Sequence, residues 1–384
     1  MYSKRGKLMA KKTCSRCVMD TTDSRIKFDR SGVCDHCRTF DKEIMPKWNM
    51  GHGREVELQR IVSHIKRRSK GKDFDCILGM SGGIDSSYLL YLVTKKLDLK
   101  PLVFHVDAGW NTQMAVNNIE RLVDGLGLDL YTEVINWEDM RKLQLAYFKS
   151  GVPHIDSPQD HAFFATMYKF ASENGIKDII TGGNYATECV RNPKEWMYYQ
   201  SDSIQLRDIY RKHGRTPLTT FPITNILWHK IYLPYFRKVK LHRLLDYLPY
   251  EKEEATQFLV DNYGYERYPQ KHFESRFTRF YESYWLPEKF GYDTRKVQFS
   301  SLILTGQMTR EEAMEKLAST AYDPETISHD FEFVASKLNI TSDELKIYFN
   351  TPNKTYMDYA NQEALYDFGA KVFRFLGKEL GGKR

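Results

Sequence analysis

No apolar run in this chain approaches the length needed to cross a bilayer, and the opening stretch Met1–Lys7 carries charge without an apolar segment behind it. The reading is therefore of a chain with neither a membrane span nor a signal peptide, expected in the cytoplasm with its thiols reduced. A strong excess of one charge sign is also absent: 57 Lys+Arg stand against 50 Asp+Glu, a formal balance of +7. That suits anionic ligands but does not mark a nucleic-acid binder. No internal repeat, low-complexity tract or heptad run interrupts the 384 residues, which suffice for two or three domains. The G-x-x-x-x-G-K-[ST] phosphate loop is missing, and so is the G-x-C-x-G elbow of one common glutaminase type; position 2 holds Tyr2 rather than the cysteine of the other.

Cysteine is sparse, six in all, yet four fall as Cys14-x-x-Cys17 and Cys34-x-x-Cys37. Two such pairs offer four thiolates to one tetrahedral ion, so residues 1–45 read as a zinc ribbon. With every coordination position filled, the zinc is expected to be structural, and His36 inside the second pair is expected to be exposed. Cys76 reads as a buried strand residue, while Cys189 remains open to approaching a site.

Strands and helices alternate from residue 54 to 225. Strands are expected at 75–80, 101–106, 128–135 and before Thr181-Gly182-Gly183-Asn184, with helices beginning near Ile84, across Val116–Leu126 and at Ser157-Pro158. Such alternation implies a parallel sheet with ligands beyond the carboxyl ends of the strands. Past 225 the β signal fades. Thr309-x-x-Glu312 and Thr341-x-x-Glu344 are capping boxes, and residues 226–384 read as a helical domain for substrate or partner. The fold class expected is α/β with a zinc ribbon before it and helices after it.

The most informative segment is Met80-Ser81-Gly82-Gly83-Ile84-Asp85-Ser86-Ser87, a glycine pair between a buried strand and a helix start. Glycine lets backbone N–H groups approach an anion, and the helix end adds unpaired donors. Without the P-loop lysine, the site suits pyrophosphate as a leaving group rather than γ-phosphoryl transfer.

Ser81–Ser86 resembles the S-G-G-x-D-S loop of the PP-loop ATP pyrophosphatases, a group of Rossmann-like (HUP-like) folds that includes GMP, NAD, asparagine and argininosuccinate synthetases and several tRNA-modifying enzymes. Together with the cysteine ribbon, Thr181–Glu188 and the block Lys271–Phe280, the chain is similar to the N-acetyl sugar amidotransferases of bacterial surface-glycan synthesis, the WbpG or PseA type. The resemblance implies that ATP is cleaved between its α- and β-phosphates, that an acetamido oxygen is adenylated, and that ammonia displaces AMP to leave an acetamidino group. It implies ATP, Mg²⁺ and structural Zn²⁺, an acidic acetamido sugar as substrate, and a HisH-like glutaminase with a HisF-like companion as partners.

Roles follow by position. Gly82 and Gly83, with the Ser81, Ser86 and Ser87 hydroxyls, are expected to grip pyrophosphate. Asp85 and Ser81 are the catalytic candidates, and Asp85 with Glu188 the Mg²⁺ ligands. Asp107, with the backbone at Val106, is expected to bond ribose or adenine, while Asn111 reads equally as nucleoside ligand or N-cap. Gly182, Gly183 and Asn184 are expected against AMP. Lys271, His272, Glu274 and Arg279 are the substrate candidates, with Lys271, Ser275, Thr278 and Arg279 drawn on one helical face. Lys289, Arg295 and Lys296 are read as either phosphate charge or surface, Asp160 as a capping residue and His161 as a surface histidine. The alternative function is a tRNA-thiolating enzyme of the same group, which would need a reactive cysteine; a non-enzymatic nucleotide-binding protein is the other rival.

Overall fold

The computed structural model describes residues 12–48 and 53–375. The reading of Met1–Lys7 lies outside the described residues, as do residues 49–52 of the segment joining ribbon and sheet.

Five parallel strands form the centre: β1 (Cys76–Gly79), β2 (Pro101–Asp107), β3 (Leu130–Val134), β4 (Asp178–Ile180) and β5 (Lys240–His242), in the order β3-β2-β1-β4-β5. Successive side chains of a strand point to opposite faces, so a sheet covered on both sides needs apolar residues throughout. Ile77, Phe104 and Ile179 enter one core, and Leu78, Val103 and Ile180 enter the other. Cys76 is fully buried among the latter, as expected. The chain leaves β1 toward β2 and β3, then returns to place β4 on the other side of β1. This order puts the switch point between β1 and β4, where ligands gather in open α/β sheets.

The expected alternation is present with differences. Gln113–Leu126 is capped by the Thr112 side chain and stopped by left-handed Gly127. Ser157–Glu173 carries Pro158 in its first turn, but Asp156 rather than Ser157 is its N-cap residue. The helix Trp137–Ser150, capped by Asn136, and strand β5 were not among the expected elements. β5 lies beyond residue 225, so the sheet draws on the segment read as helical. Its residues Lys240 and Leu241 are exposed and form no apolar run. After β5 every regular element among the described residues is helical, and both capping boxes form as expected.

The cysteine ribbon is clamped onto these later helices. Arg310 donates to the carbonyls of Cys14 and Cys17, Ser300 accepts from the Val18 N–H at 3.2 Å, and buried Lys296 pairs with Asp20 at 2.7 Å. Lys296 is thus a structural cation, as are Arg295, paired with Asp293, and Lys289, which donates to the carbonyls of Phe349 and Thr351. None of the three lines the central cleft described below, so none supplies phosphate charge there.

Candidate active site

The loop after β1 owes its shape to two glycines. Gly82 has φ +84°, and a Cβ there would lie 2.9 Å from the backbone oxygen of Ala115. Only glycine meets both demands. Gly182, at the end of β4, would press a Cβ to 2.9 Å from the Ser86 nitrogen, so the two strand-end loops pack backbone to backbone. Gly83 is the N-cap of Ile84–Tyr91, and no side chain caps that helix. Its first N–H groups and the positive end of its dipole are left to whatever enters the cleft.

That cleft measures about 570 Å³ and lies at the switch point, lined by Ser81, Gly83, Asp85, Ser86, Gly182, Gly183 and Glu188 from the sheet side. Lys271, His272 and Glu274 face it from the later part of the chain. The Ser81 and Ser86 hydroxyls lie 3.2 Å apart, and Ser81 also accepts from the Gly83 N–H. Of the expected phosphate-loop residues, Ser81, Gly83, Asp85 and Ser86 line the cleft, whereas Gly82 shapes the turn beside it and the Ser87 side chain is buried, both outside the lining.

Asp85 is the best-connected group. Its Oδ2 lies 2.9 Å from the Lys271 ammonium and accepts from Thr187 at 3.4 Å, while Oδ1 accepts from the Tyr250 hydroxyl. Lys271 also reaches Glu188 at 2.7 Å. Burial disfavours the Asp85 charge, but Lys271 and the Tyr250 bond outweigh it and hold the carboxyl below its ordinary value. Burial likewise opposes the Lys271 charge, and the two carboxylates raise its pKa all the same. Lys252, a further cleft cation, is pushed down by burial despite the pull of Asp85. Glu274 is pushed up by burial, and its carboxylate lies against Gly83. Asp85, Glu188 and Thr187 thus present oxygen donors around one cation position, held here by Lys271 Nζ, and such a donor set suits a hard ion such as Mg²⁺.

Tyr250, Lys252, Thr187 and Tyr265, whose hydroxyl donates to the Gly82 carbonyl at 3.1 Å, were not picked out from the sequence. Thr187 lies inside the quoted block Thr181–Glu188 but was given no role there, while Tyr250, Lys252 and Tyr265 carry no motif and meet the loop only through the fold. Other expected residues go elsewhere. Arg279 pairs with buried Asp330 at 2.7 Å, away from the cleft; the helix here begins only at Arg276, with Ser275 its cap and Lys271 in the turn before it, and continues through Phe290. The single face drawn through Lys271, Ser275, Thr278 and Arg279 does not exist. Asn184 is buried, capping Tyr185–Glu188 and bonding the Gly182 carbonyl. Val106 is buried in β2, and Asp107 accepts from the Gly109 N–H and the Asn111 side chain. Thr112, not Asn111, is the cap of the next helix. Asp160 accepts from the Gln200 side chain rather than capping, and His161 is buried, with its pKa pushed down to about 4 by burial.

His272 sits at φ +67° and meets Glu282 at 3.0 Å. Burial opposes its charge, but Glu282 carries its pKa from 6.5 up to about 9. The folded state favours the imidazolium, so this contribution is complete below pH 6.5 and fades as pH rises through about 9. His272→Gln is expected to flatten the pH dependence of the melting temperature across that window, measured by thermal melts in matched buffers.

At the ribbon, sulfur–sulfur distances of 3.8 Å (Cys14–Cys37) and 3.6 Å (Cys17–Cys34 and Cys34–Cys37) match the tetrahedron edge of about 3.8 Å set by Zn–S bonds of about 2.3 Å. All four are buried, so the cluster fits a closed structural zinc site. His36 is buried against Asp23 at 2.9 Å rather than exposed, because the ribbon folds over it. Cys34→Ser is expected to yield zinc-poor protein with a lower melting temperature, read by metal analysis and calorimetry; an unchanged melt in zinc-free protein would contradict this. Cys189 is buried, donates to the Ser301 carbonyl, and has its thiol pushed up to about 12 by burial. Neither it nor Cys76 lines the cleft, which leaves the sulfur-transfer alternative without a thiolate there.

Residues 274–373 match the model described as LPS biosynthesis protein WbpG-like, C-terminal domain, and this supports the WbpG-type resemblance read from the sequence. Among solved structures, the chain is similar to the NH3-dependent NAD synthetase from Campylobacter jejuni subsp. jejuni NCTC 11168 in complex with the nitrate ion. The identity is 12%, the TM-score 0.30, and the match covers 78% of this chain and 98% of that chain. Among the curated proteins, none matches the chain.

Proposed function

We propose that this chain is an ATP-dependent amidotransferase of the PP-loop type, converting an acetamido group on a bacterial surface-glycan sugar to an acetamidino group with release of AMP and pyrophosphate. The observation that carries the reading is the uncapped glycine loop at the β1/β4 switch point, faced by Lys271 and Lys252, in a chain whose C-terminal part matches a WbpG-like domain.

Amide resonance makes the acetamido carbon a poor electrophile. Attack of the amide oxygen on the α-phosphate gives an O-adenylated imidate; ammonia then adds to the carbon and AMP leaves with the oxygen. No side-chain nucleophile is required. The chain has to position the reactants, stabilise the departing pyrophosphate and exclude water from the imidate. The N–H groups at Ile84 and Asp85 and the Ser81 and Ser86 hydroxyls would hold the departing phosphates, with Lys252 and Lys271 balancing their charge. Asp85 and Glu188 would hold Mg²⁺, which when bound supplies further neutralisation at phosphate oxygens.

Ammonia is largely protonated near neutral pH, and the sequence contains no G-x-C-x-G glutaminase elbow. A separate HisH-like glutaminase with a HisF-like companion fits that gap, as a cytoplasmic setting fits the ATP requirement. The test is incubation with ATP, Mg²⁺, ammonium and candidate acetamido sugars. AMP, pyrophosphate and a sugar in which NH replaces oxygen are expected; ADP with orthophosphate would overturn the reading. Glutamine should not replace ammonium for the isolated chain.

A further inference from the structure

A second cavity, of about 720 Å³, opens beyond the carboxyl ends of β4 and β5. Its lining includes the cations Arg54, Arg191, Lys230 and Arg243 against a single carboxylate, Asp246. Two of the cations are held in place by rings: Arg54 lies 5.0 Å over Tyr247, and Arg243 lies 4.5 Å over Tyr185. Arg243 also pairs with Asp246 at 3.0 Å, and Asp246 accepts from the Tyr185 N–H at 2.6 Å. Guanidinium groups fixed in this way keep their outer N–H donors directed and lose little entropy when an oxyanion arrives.

Lys230 differs from its neighbours. It is half-buried in the wall of the cavity and has no hydrogen-bond or ion-pair partner among the described residues. Burial alone lowers its pKa. An ammonium taken partly out of water without a counter-charge is unfavourable, and an anion in the cavity would relieve it.

The walls of the two cavities approach each other at Gly183. A methyl placed on Gly183 would lie 3.6 Å from Arg243 Nε and 3.7 Å from Glu188 Oε2. Gly183 and Glu188 line the phosphate cleft, while Arg243 and Asp246 line the second cavity.

We propose that this second cavity binds the anionic part of the acetamido sugar, with Lys230 and Arg243 as its charge partners and the acetamido end directed past Gly183 into the cleft. The proposal rests on the amidotransferase reading for the identity of the ligand. The chemistry recognised is an oxyanion carried on a sugar, and its source is either a sugar carboxylate or a nucleoside diphosphate.

Titration calorimetry on the full chain separates these. The probes are N-acetylneuraminic acid for the carboxylate, UDP-N-acetylglucosamine for the diphosphate, and neutral N-acetylglucosamine. One charged probe should bind, with the neutral sugar weaker by about 10- to 100-fold, as expected for charge-assisted hydrogen bonds. Lys230→Met should weaken the charged probe by a similar factor, Lys230→Arg should restore much of it, and MgATP affinity should stay unchanged in both. Anionic probes binding no better than the neutral one, or no response to Lys230→Met, would overturn the site. Binding needs no turnover, so the two readings fail separately. Charge-dependent binding without AMP formation would leave this site standing and count against amidation. AMP formation with a KM for sugar indifferent to Lys230→Met would do the reverse.

Discussion

Lys271→Met is expected to lower pyrophosphate release by about 10²–10³-fold, the range seen when one preorganised partner of developing charge is removed. The side chain touches both Asp85 and Glu188, so its loss removes a cation from beside the phosphates and from the two carboxylates that would hold Mg²⁺. Stability should fall as well, because removing one partner of a buried pair strands the other at a cost of about 3–5 kcal/mol. Tyr250 and Thr187 still bond Asp85 and keep the loss toward the lower end. The double variant Lys271→Met with Asp85→Asn removes the stranded charge. Denaturant melts should show most of the stability regained, while AMP formation stays low. Recovery of both together would mean that the pair serves only the fold. Arg279→Met is the contrasting variant: its partner is Asp330, which Arg276 also holds, so it should lower stability and leave pyrophosphate release near the parent level.

The contrast between Lys271 and Arg279 marks what was legible in the chain. The glycine loop, its strand and its helix are local: residues 76–91 contain both the apolar run and the turn chemistry, so their assembly could be read directly. The four cysteines were equally local, two pairs at metal-ligand spacing. Residues that join the site from a distance left no such trace. Tyr250 reaches Asp85 from 165 positions away, at a point where the chain shows only an aromatic residue before an acidic helix start. Arg279 was drawn into the site because it follows Lys271 at helical spacing, whereas the turn at His272 ends that register and Asp330, on a separate helix, captures the guanidinium. His161 and His36 were read as surface residues because burial depends on what folds over them: the backbone of residues 200 and 224 for the first, the ribbon itself for the second. β5 escaped because an edge strand of three residues with an exposed face needs no apolar pattern.

Gly82→Ala should be the most damaging single-methyl change in the loop. Its φ of +84° is one that L-residues adopt only with strain, and the added carbon would sit 2.9 Å from the Ala115 carbonyl oxygen, a backbone atom fixed in the next helix. Strain of this kind costs about 1–3 kcal/mol. The expected outcome is a corresponding drop in unfolding free energy and a fall in pyrophosphate release of about 10²-fold, since small misplacement of the phosphate donors is costly. Gly83→Ala separates strain from mere crowding. Its backbone lies in the ordinary extended region, and the atom that its methyl would meet at 2.7 Å is the carboxylate end of Glu274, a side chain able to swing aside. That variant should melt close to the parent. If Gly82→Ala matched Gly83→Ala in both melting and pyrophosphate release, the left-handed turn would not be what aims the helix donors at the phosphates.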